Sequence, residues 1–195
     1  MLVNDRTLRP RKRQPEERLA RLVSTAADVF GRDGFACAQI QEICRAASVS
    51  VGTFYQHFEN KAAILLHLAE LAVRDIPTLD TTSRPHLEQQ IAAYVSSPRV
   101  TIWRAWREAV LSEPALRPAA TRLRQHCETR LERWVGEVRA TRSIGAPQVD
   151  DQTTAWLIFT AMRELVVDSS VGSPERSTKV AGALWRLLFD HEDGT

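Results

Sequence analysis

The side chains best suited to recognition lie in one short stretch, SVSVGTFYQHFENK, at residues 48–61. It carries hydroxyl, amide, imidazole and ammonium groups, which form hydrogen bonds to base edges and phosphates in DNA. On a helix that begins after Ser50, Phe54 and Phe58 share one face, because residues four apart lie above one another. The polar side chains then point elsewhere: Thr53, Gln56 and, in part, Tyr55 and His57. The pattern fits a helix that enters a major groove, and it also fits a packed helix of a plain bundle that binds nothing.

A cluster of basic residues precedes this stretch, although the whole chain has a formal net charge of only +2. Since that global charge is small, nucleic-acid binding would depend on local clustering. Before residue 14, Asp5 is the single acid among several bases: Arg6, Arg9, Arg11, Lys12 and Arg13. The cluster predicts a basic arm at residues 1–14, with Arg11 and Arg13 along phosphates or in a minor groove. A solvated tail without a partner is the alternative.

The elements that position these residues are helices. One apolar stripe runs along residues 19–30, and Gly34 is placed to close that helix. A short helix at residues 40–47 and a turn at residues 48–50 lead into the helix at residues 51–58, for which Ser50 is a good N-cap. Asn60 can cap a fourth helix, apolar nearly all round, which is therefore expected to join two parts of the protein. Two short helices joined by a tight turn form a helix-turn-helix.

The rest of the chain also follows the helical period, with breaks near residues 75–84 and 143–150. Asp150 or Asp151 can cap a helix at residues 151–169, and another is expected at residues 175–190. No segment alternates as a strand does. The sequence therefore predicts an all-α fold of about nine helices.

Several classes of protein are disfavoured by composition. Cys37, Cys44 and Cys127 have neither disulfide-framework nor zinc spacing, which favours reduced thiols in a cytoplasmic protein. No apolar run approaches the ~18 residues of a membrane span, and no signal peptide is recognisable. No nucleophile, metal or phosphate-loop motif is present, so we expect no enzyme, no catalytic residue, no cofactor and no metal. A helical adaptor that binds another protein remains an alternative, and it would lack salt-dependent DNA binding.

Residues 30–65, FGRDGFACAQIQEICRAASVSVGTFYQHFENKAAIL, resemble the DNA-binding domain of the tetracycline-repressor (TetR) family of regulators. The matching positions are Gly34, Phe35, Ile43, Ala47, Val49, Ser50, Gly52, Thr53, Tyr55, His57, Phe58, Lys61 and Leu65. The resemblance implies a helix-turn-helix domain at residues 15–62 and a ligand-binding and dimerisation domain at residues 63–195. It implies phosphate contacts from Thr53, Tyr55 and Lys61. The positions that would approach bases or backbone are Gln41, Val51, Gly52, Gln56 and His57.

Three departures from the family pattern affect this expectation. Ala38 and Gln39 occupy the region where the family usually has a threonine that caps the second helix, which puts that phosphate contact in doubt. Ser48 stands at the turn glycine, where a positive φ is less comfortable for a side chain. Val51 replaces a residue that is often basic or polar, and it either touches a thymine methyl group or packs inward.

The C-terminal half is rich in aromatic residues that suit a cavity for an apolar small molecule. The candidate pocket residues are Trp103, Trp106, Trp134, Trp156 and Phe159. The alternative is that they form ordinary core. The charges at Arg163, Glu164 and Asp168 either orient a ligand, lie on an exposed face or pair across an interface.

The resemblance also implies a homodimer, for which the last two helices are the expected interface, as antiparallel pairs in a four-helix bundle. The candidate interface residues are Leu157, Leu165, Leu184 and Leu188. Two recognition helices ~34 Å apart would then bind a pseudo-palindromic operator in double-stranded DNA. The expected function is a dimeric repressor that a small apolar or aromatic effector releases from its operator.

Overall fold

The computed structural model describes residues 13–74, 79–97, 100–142, 149–167 and 174–189. Within these ranges the chain forms nine α-helices and no strand, which confirms the predicted all-α fold. The helices are α1 (Arg13–Cys37), α2 (Ile40–Ala46), α3 (Val51–Tyr55), α4 (Lys61–Arg74), α5 (Arg84–Val95), α6 (Val100–Ser112), α7 (Arg117–Thr141), α8 (Asp151–Val167) and α9 (Pro174–Phe189). A 3₁₀ turn at Pro114–Leu116 precedes α7. None of the described helices combines the length and apolar character needed to cross a membrane.

Gly34 interrupts α1 near its end. Its backbone has φ 75° and ψ −178°, a conformation that side-chain-bearing residues rarely adopt. The break predicted at this glycine is therefore confirmed, although helical residues resume beyond it as far as Cys37. A Cβ atom at this position would lie 2.8 Å from Glu108 Oε2, so close contact with α6 also requires glycine here.

Side-chain caps fix the starts of four described helices, α3, α4, α5 and α8. Ser50, Asn60 and Asp150 each accept a hydrogen bond from the backbone N–H three residues later, at 3.0, 2.9 and 2.8 Å. Of the two aspartates that could cap α8, the structure uses Asp150. Asp151 instead forms an ion pair with the buried guanidinium of Arg139, which ties α7 to the start of α8.

Two clusters of buried side chains form the interior. The first draws mainly on α1, α2, α3, α4 and α6, and it includes Leu22, Phe30, Phe54, Ile64 and Leu65. The second draws on α5, α7, α8 and α9. As expected for a helix apolar nearly all round, α4 packs against several partners, namely α1, α6 and α7. Helix α6 packs against α1, α4 and α8, so it links the N-terminal helices to the C-terminal ones.

The residues expected at a dimer interface divide into two groups. Leu165, Leu184 and Leu188 are 3%, 4% and 1% exposed and belong to the second cluster. They are therefore unavailable to a partner, because α8 and α9 use this apolar stripe to complete the core of their own chain. Leu157 is 37% exposed and lies on the surface. The expectation is thus corrected for three of the four leucines.

Candidate nucleic-acid interface and internal cavity

Helices α2 and α3 are held together by a tight turn at residues 47–50. Ser48 adopts φ 53°, which is the only positive φ of a non-glycine residue in the described ranges. The turn closes through a hydrogen bond from Val49 N–H to the carbonyl of Cys44 at 3.0 Å. Phe54 is completely buried and anchors α3 on the first cluster. The pair is therefore a helix-turn-helix whose serine takes the backbone conformation expected of the turn glycine.

Apart from Phe54 and the partly buried Thr53, the residues of α3 and of the turn after it are exposed. Most of the positions expected to contact DNA lie there: Val51, Gly52, Tyr55, Gln56 and His57. Tyr55 is 56% exposed and Val51 is 38% exposed, so neither packs into the core. Thr53 is partly buried, and its hydroxyl shares a 2.9 Å hydrogen bond with the Ser50 hydroxyl. Gln41, on α2, is exposed as well.

Helix α3 is shorter than predicted. It ends at Tyr55 rather than Phe58, and the following residues form a turn in which the Phe58 N–H donates to the Phe54 carbonyl at 2.9 Å. This turn still brings Phe58 against the first cluster, with its ring centroid 5.8 Å from that of Phe54. Gln56 and His57 therefore stand on the turn and not on the helix.

Lys61 is engaged inside the chain. Its ammonium group donates to the carbonyls of Phe35, Ala36 and Ala38 at 2.6, 3.2 and 3.1 Å. It also lies 4.5 Å from the centroid of the Phe35 ring. Because an ammonium group has three donors, these carbonyls occupy all of them. The residue expected to bind phosphate thus holds the end of α1 in place.

The same end of α1 is held from the opposite direction by Glu108 of α6. Its carboxylate accepts hydrogen bonds from Phe35 N–H at 2.7 Å and from Ala36 N–H at 3.0 Å. Residues 35–38 are therefore fixed between an acid from the C-terminal half and the first residue of α4. Sequence reasoning missed Glu108, because nothing near it in the chain indicates a partner more than 70 residues away.

The N-terminus of α2 lacks the cap that the family usually provides. Gln39 stands at the N-cap position and makes no side-chain hydrogen bond to the helix, while Ala38 is 2% exposed. The N-terminal arm up to residue 12, which includes Arg11, lies outside the described residues. Arg13 begins α1, so the helix starts inside the segment predicted to be an arm.

A cavity of about 730 Å³ lies among α4, α5, α6, α7 and α8. Trp103, Trp106, Trp134 and Phe159 are among its lining residues. Trp156 is not, and its side chain is 50% exposed, so the expectation for this residue is corrected. The indole N–H of Trp103 donates to the Tyr94 hydroxyl and that of Trp134 to the Leu79 carbonyl, both at 3.2 Å.

The cavity is more polar than the sequence suggested. Five arginines and two glutamates contribute to its lining: Arg107, Arg124, Arg130, Arg133, Arg163, Glu137 and Glu164. Cys127 also lines it, and burial raises the pKa of this thiol to about 11. Across the part of the chain that the structure describes, no group of three or more potential metal ligands is brought together.

Comparison with known proteins places the helix-turn-helix segment among bacterial regulatory proteins. Residues 22–68 match the model of the family described as bacterial regulatory proteins, tetR family. The HTH-type transcriptional regulator YerO of Bacillus subtilis is 41% identical over 54 residues, which are 28% of this chain and 19% of YerO. The chain thus matches only about a fifth of the length of that relative.

Solved structures share the fold over almost the whole chain. A chain from Rhodococcus sp. assigned to the TetR-family transcriptional regulators superposes with a TM-score of 0.73 at 18% identity, covering 89% of this chain and 100% of its own. The transcriptional regulator FadR of Bacillus subtilis, in complex with stearoyl-CoA, has a TM-score of 0.62 at 18% identity, with coverages of 87% and 97%. At this identity the likeness is one of fold.

Proposed function

Because residues 22–68 belong to the TetR family of bacterial regulatory proteins, we propose that the chain is a DNA-binding transcriptional regulator. In its finer form the proposal is a dimeric repressor that a small molecule releases from a pseudo-palindromic operator. The observation that carries it is the exposed surface of α3 and the following turn, where Val51, Tyr55 and Gln56 face solvent while Phe54 is fully buried. In a helix of a plain bundle, Val51 and Tyr55 would be expected to pack inward and not to stay exposed, as they do here.

Each exposed group has a distinct role in this proposal. The Gln56 amide and the His57 imidazole offer hydrogen bonds to base edges, and the Val51 methyl groups suit a thymine methyl. The Tyr55 hydroxyl binds a phosphate, which sets the register of the helix in the groove without reading sequence. Thr53 supports the helix start through Ser50 and presents its hydroxyl to the backbone of the DNA. Lys61 has a structural role in this proposal, because its ammonium group donates to the carbonyls of Phe35, Ala36 and Ala38.

The proposed dimer uses the exposed apolar part of α8. Trp156 and Leu157 are 50% and 37% exposed and adjacent in sequence, an apolar surface that a second copy would cover. We expect Leu157→Glu to convert the protein to a monomer in light scattering after size exclusion, while Gln152→Glu, exposed on the same helix, leaves the dimer intact. If Leu157→Glu remains dimeric, the interface lies elsewhere.

The proposed effector site is the cavity. Helix α6 contributes Trp103 and Trp106 to the cavity and Glu108 to the segment after Gly34, so a ligand that shifts α6 acts on the end of α1. FadR, which has the same fold, binds stearoyl-CoA, and this supports a small-molecule site in the present chain. Induction requires that the ligand bind two conformations with different affinity, and DNA must then weaken ligand binding by the same factor.

Selection of binding sites from a random-sequence duplex tests the proposal most directly. The purified chain is incubated with the library at two salt concentrations, and the retained DNA is sequenced. We expect a pseudo-palindrome to be enriched and its affinity to fall as salt rises. The double variant Tyr55→Phe, Gln56→Ala should lose this enrichment while its circular dichroism stays that of the parent. A folded protein that enriches nothing would instead support a helical adaptor.

A further inference from the structure

We infer that the cavity binds an amphipathic organic anion, with an apolar or aromatic body and a single anionic group. The inference rests on the proposed function, because it takes this cavity as the effector site. It adds that the ligand carries a negative charge, which the aromatic residues alone did not suggest. The body lies among the tryptophans, and the anionic group is held by Arg107, Arg133 or both.

The charges that line the cavity are mostly positive. Three of the five arginines are engaged within the chain. Arg163 pairs with Glu164 at 2.9 Å, and Arg124 pairs with Glu128 at 3.0 Å. Arg130 donates to the Val73 carbonyl at 2.7 Å.

Arg107 and Arg133 differ from these three. Neither guanidinium group has a hydrogen bond or ion pair to any residue in the described ranges, and both residues are exposed. A guanidinium group offers five donors in a planar fork that matches carboxylate, sulfonate and phosphate oxygens. The cavity therefore presents two cationic groups whose donors are available to a ligand.

The burial of the lining residues indicates where each part of the ligand lies. Trp106 is 8% exposed, whereas Arg107, the next residue, is exposed. The indole N–H groups of Trp103 and Trp134 are already hydrogen-bonded to the chain, so these residues offer the ligand mainly their ring faces. The apolar body thus lies inside and the charged group lies at the rim, where it keeps part of its hydration.

Glu137 limits the charge of the ligand. It also lines the cavity, and no side-chain partner for it is found in the described ranges. A second anionic group on the ligand would experience its repulsion, since like charges in a partly desolvated site oppose each other. The lining therefore favours one negative charge over two.

Two fluorescent probes with the same aromatic body test the inference. They are 8-anilinonaphthalene-1-sulfonate, which is anionic, and N-phenyl-1-naphthylamine, which lacks the sulfonate. Titration of the full chain with each should give a Kd at least about tenfold lower for the anionic probe, as expected for hydrogen bonds to a charged group. Ala120→Trp, which fills the cavity from its lining, should weaken both probes strongly.

Charge-removing variants locate the anionic group. Arg107→Gln or Arg133→Gln should raise the Kd of the anionic probe about three- to tenfold and leave that of the neutral probe within about twofold. Arg122→Gln is the matched control, because Arg122 is exposed on α7 and does not line the cavity.

Three results would overturn the inference. They are equal affinity for the two probes, an anionic-probe Kd that neither arginine variant changes, and anionic-probe binding that survives Ala120→Trp. Operator binding is measured separately on the same samples. If the protein binds its operator but neither arginine variant changes the Kd of the anionic probe, the inference is wrong and the proposed function still stands. Arginine-dependent binding in a protein that selects no operator defeats the proposed function and leaves the anion site standing.

Discussion

Replacing Glu108 tests how strongly α6 is tied to the end of α1. Its carboxylate accepts two hydrogen bonds, from Phe35 N–H and from Ala36 N–H, just after the positive-φ glycine at position 34. Glu108→Ala removes both acceptors. Glu108→Gln keeps one amide oxygen, while its NH₂ group is a donor and cannot accept the second bond.

The expected loss of stability follows from the surroundings of the two N–H groups. The bond to Phe35 is partly buried, so its loss leaves a charge-assisted bond unmade and costs about 1.5–3 kcal/mol. Ala36 is exposed and water replaces its partner, which costs about 0.5 kcal/mol. Glu108→Ala should therefore lower the free energy of unfolding by about 2–3.5 kcal/mol, equivalent to roughly 4–14 °C in Tm. Glu108→Gln should lower it by about 1 kcal/mol.

Urea denaturation followed by circular dichroism measures the loss in the free energy of unfolding, and hydrogen exchange shows which residues are destabilised. Amide exchange should accelerate in peptides that cover residues 34–38 and remain unchanged in α9, which packs mainly against α5 and α8. Glu113→Ala is the control, since Glu113 is exposed and makes no capping hydrogen bond at the following turn. The reasoning is refuted if Glu108→Ala unfolds within about 0.5 kcal/mol of the parent, the range of ordinary surface substitutions.

Three further predictions concern single groups. Lys61→Gln should lower the free energy of unfolding and leave the salt dependence of DNA binding unchanged; a slope smaller by about one per subunit would make Lys61 a phosphate contact. At pH 8 only about 0.1% of a thiol with pKa about 11 is ionised, so iodoacetamide followed by mass spectrometry should label exposed Cys37 far ahead of Cys127. Hydrogen bonds from the backbone and hydroxyl of Thr153 lower the pKa of Asp150, so its stabilising effect is present above the unfolded pKa, about 3.9, and is lost as pH falls through the folded value. Thermal unfolding from pH 6 to pH 2.5 should accordingly show a smaller loss of Tm for Asp150→Asn than for the parent.

Features that depend on neighbouring residues were predictable from the sequence. The caps at Ser50, Asn60 and Asp150 involve partners only three residues away, and the break at Gly34 follows from the backbone freedom of glycine. The exposed surface of α3 followed from the spacing of Phe54 and Phe58. The length of α3 did not, because a phenylalanine after a tight turn packs on the same core as one at the end of a helix.

Features that depend on distant residues were not predictable. The apolar stripes that contain Leu165 on α8 and Leu184 and Leu188 on α9 indicate that one face of each helix is buried. They do not show whether that face is covered by a partner subunit or by the chain's own α5 and α7. The family resemblance implied that Lys61 binds phosphate, and its carbonyl partners lie 23–26 residues earlier in the chain, where no local pattern indicates them. The arginines of the cavity likewise carry no local pattern that separates them from solvated surface residues.

Helix α6 connects the two halves of the chain because one of its faces lines the cavity and the opposite face packs against α1. Trp106 and Glu108 are two residues apart, about 200° around the helix, so one lines the cavity while the other binds the end of α1. Thr101 lies seven residues before Glu108 and therefore on the same face, where a Cβ atom at Gly31 would come within 2.6 Å of its hydroxyl. Gly31 and the positive-φ glycine three residues later thus allow α1 to approach α6 closely. In the proposed mechanism, a ligand that shifts α6 at the cavity acts through this contact on residues 35–38, which Glu108 and Lys61 both hold.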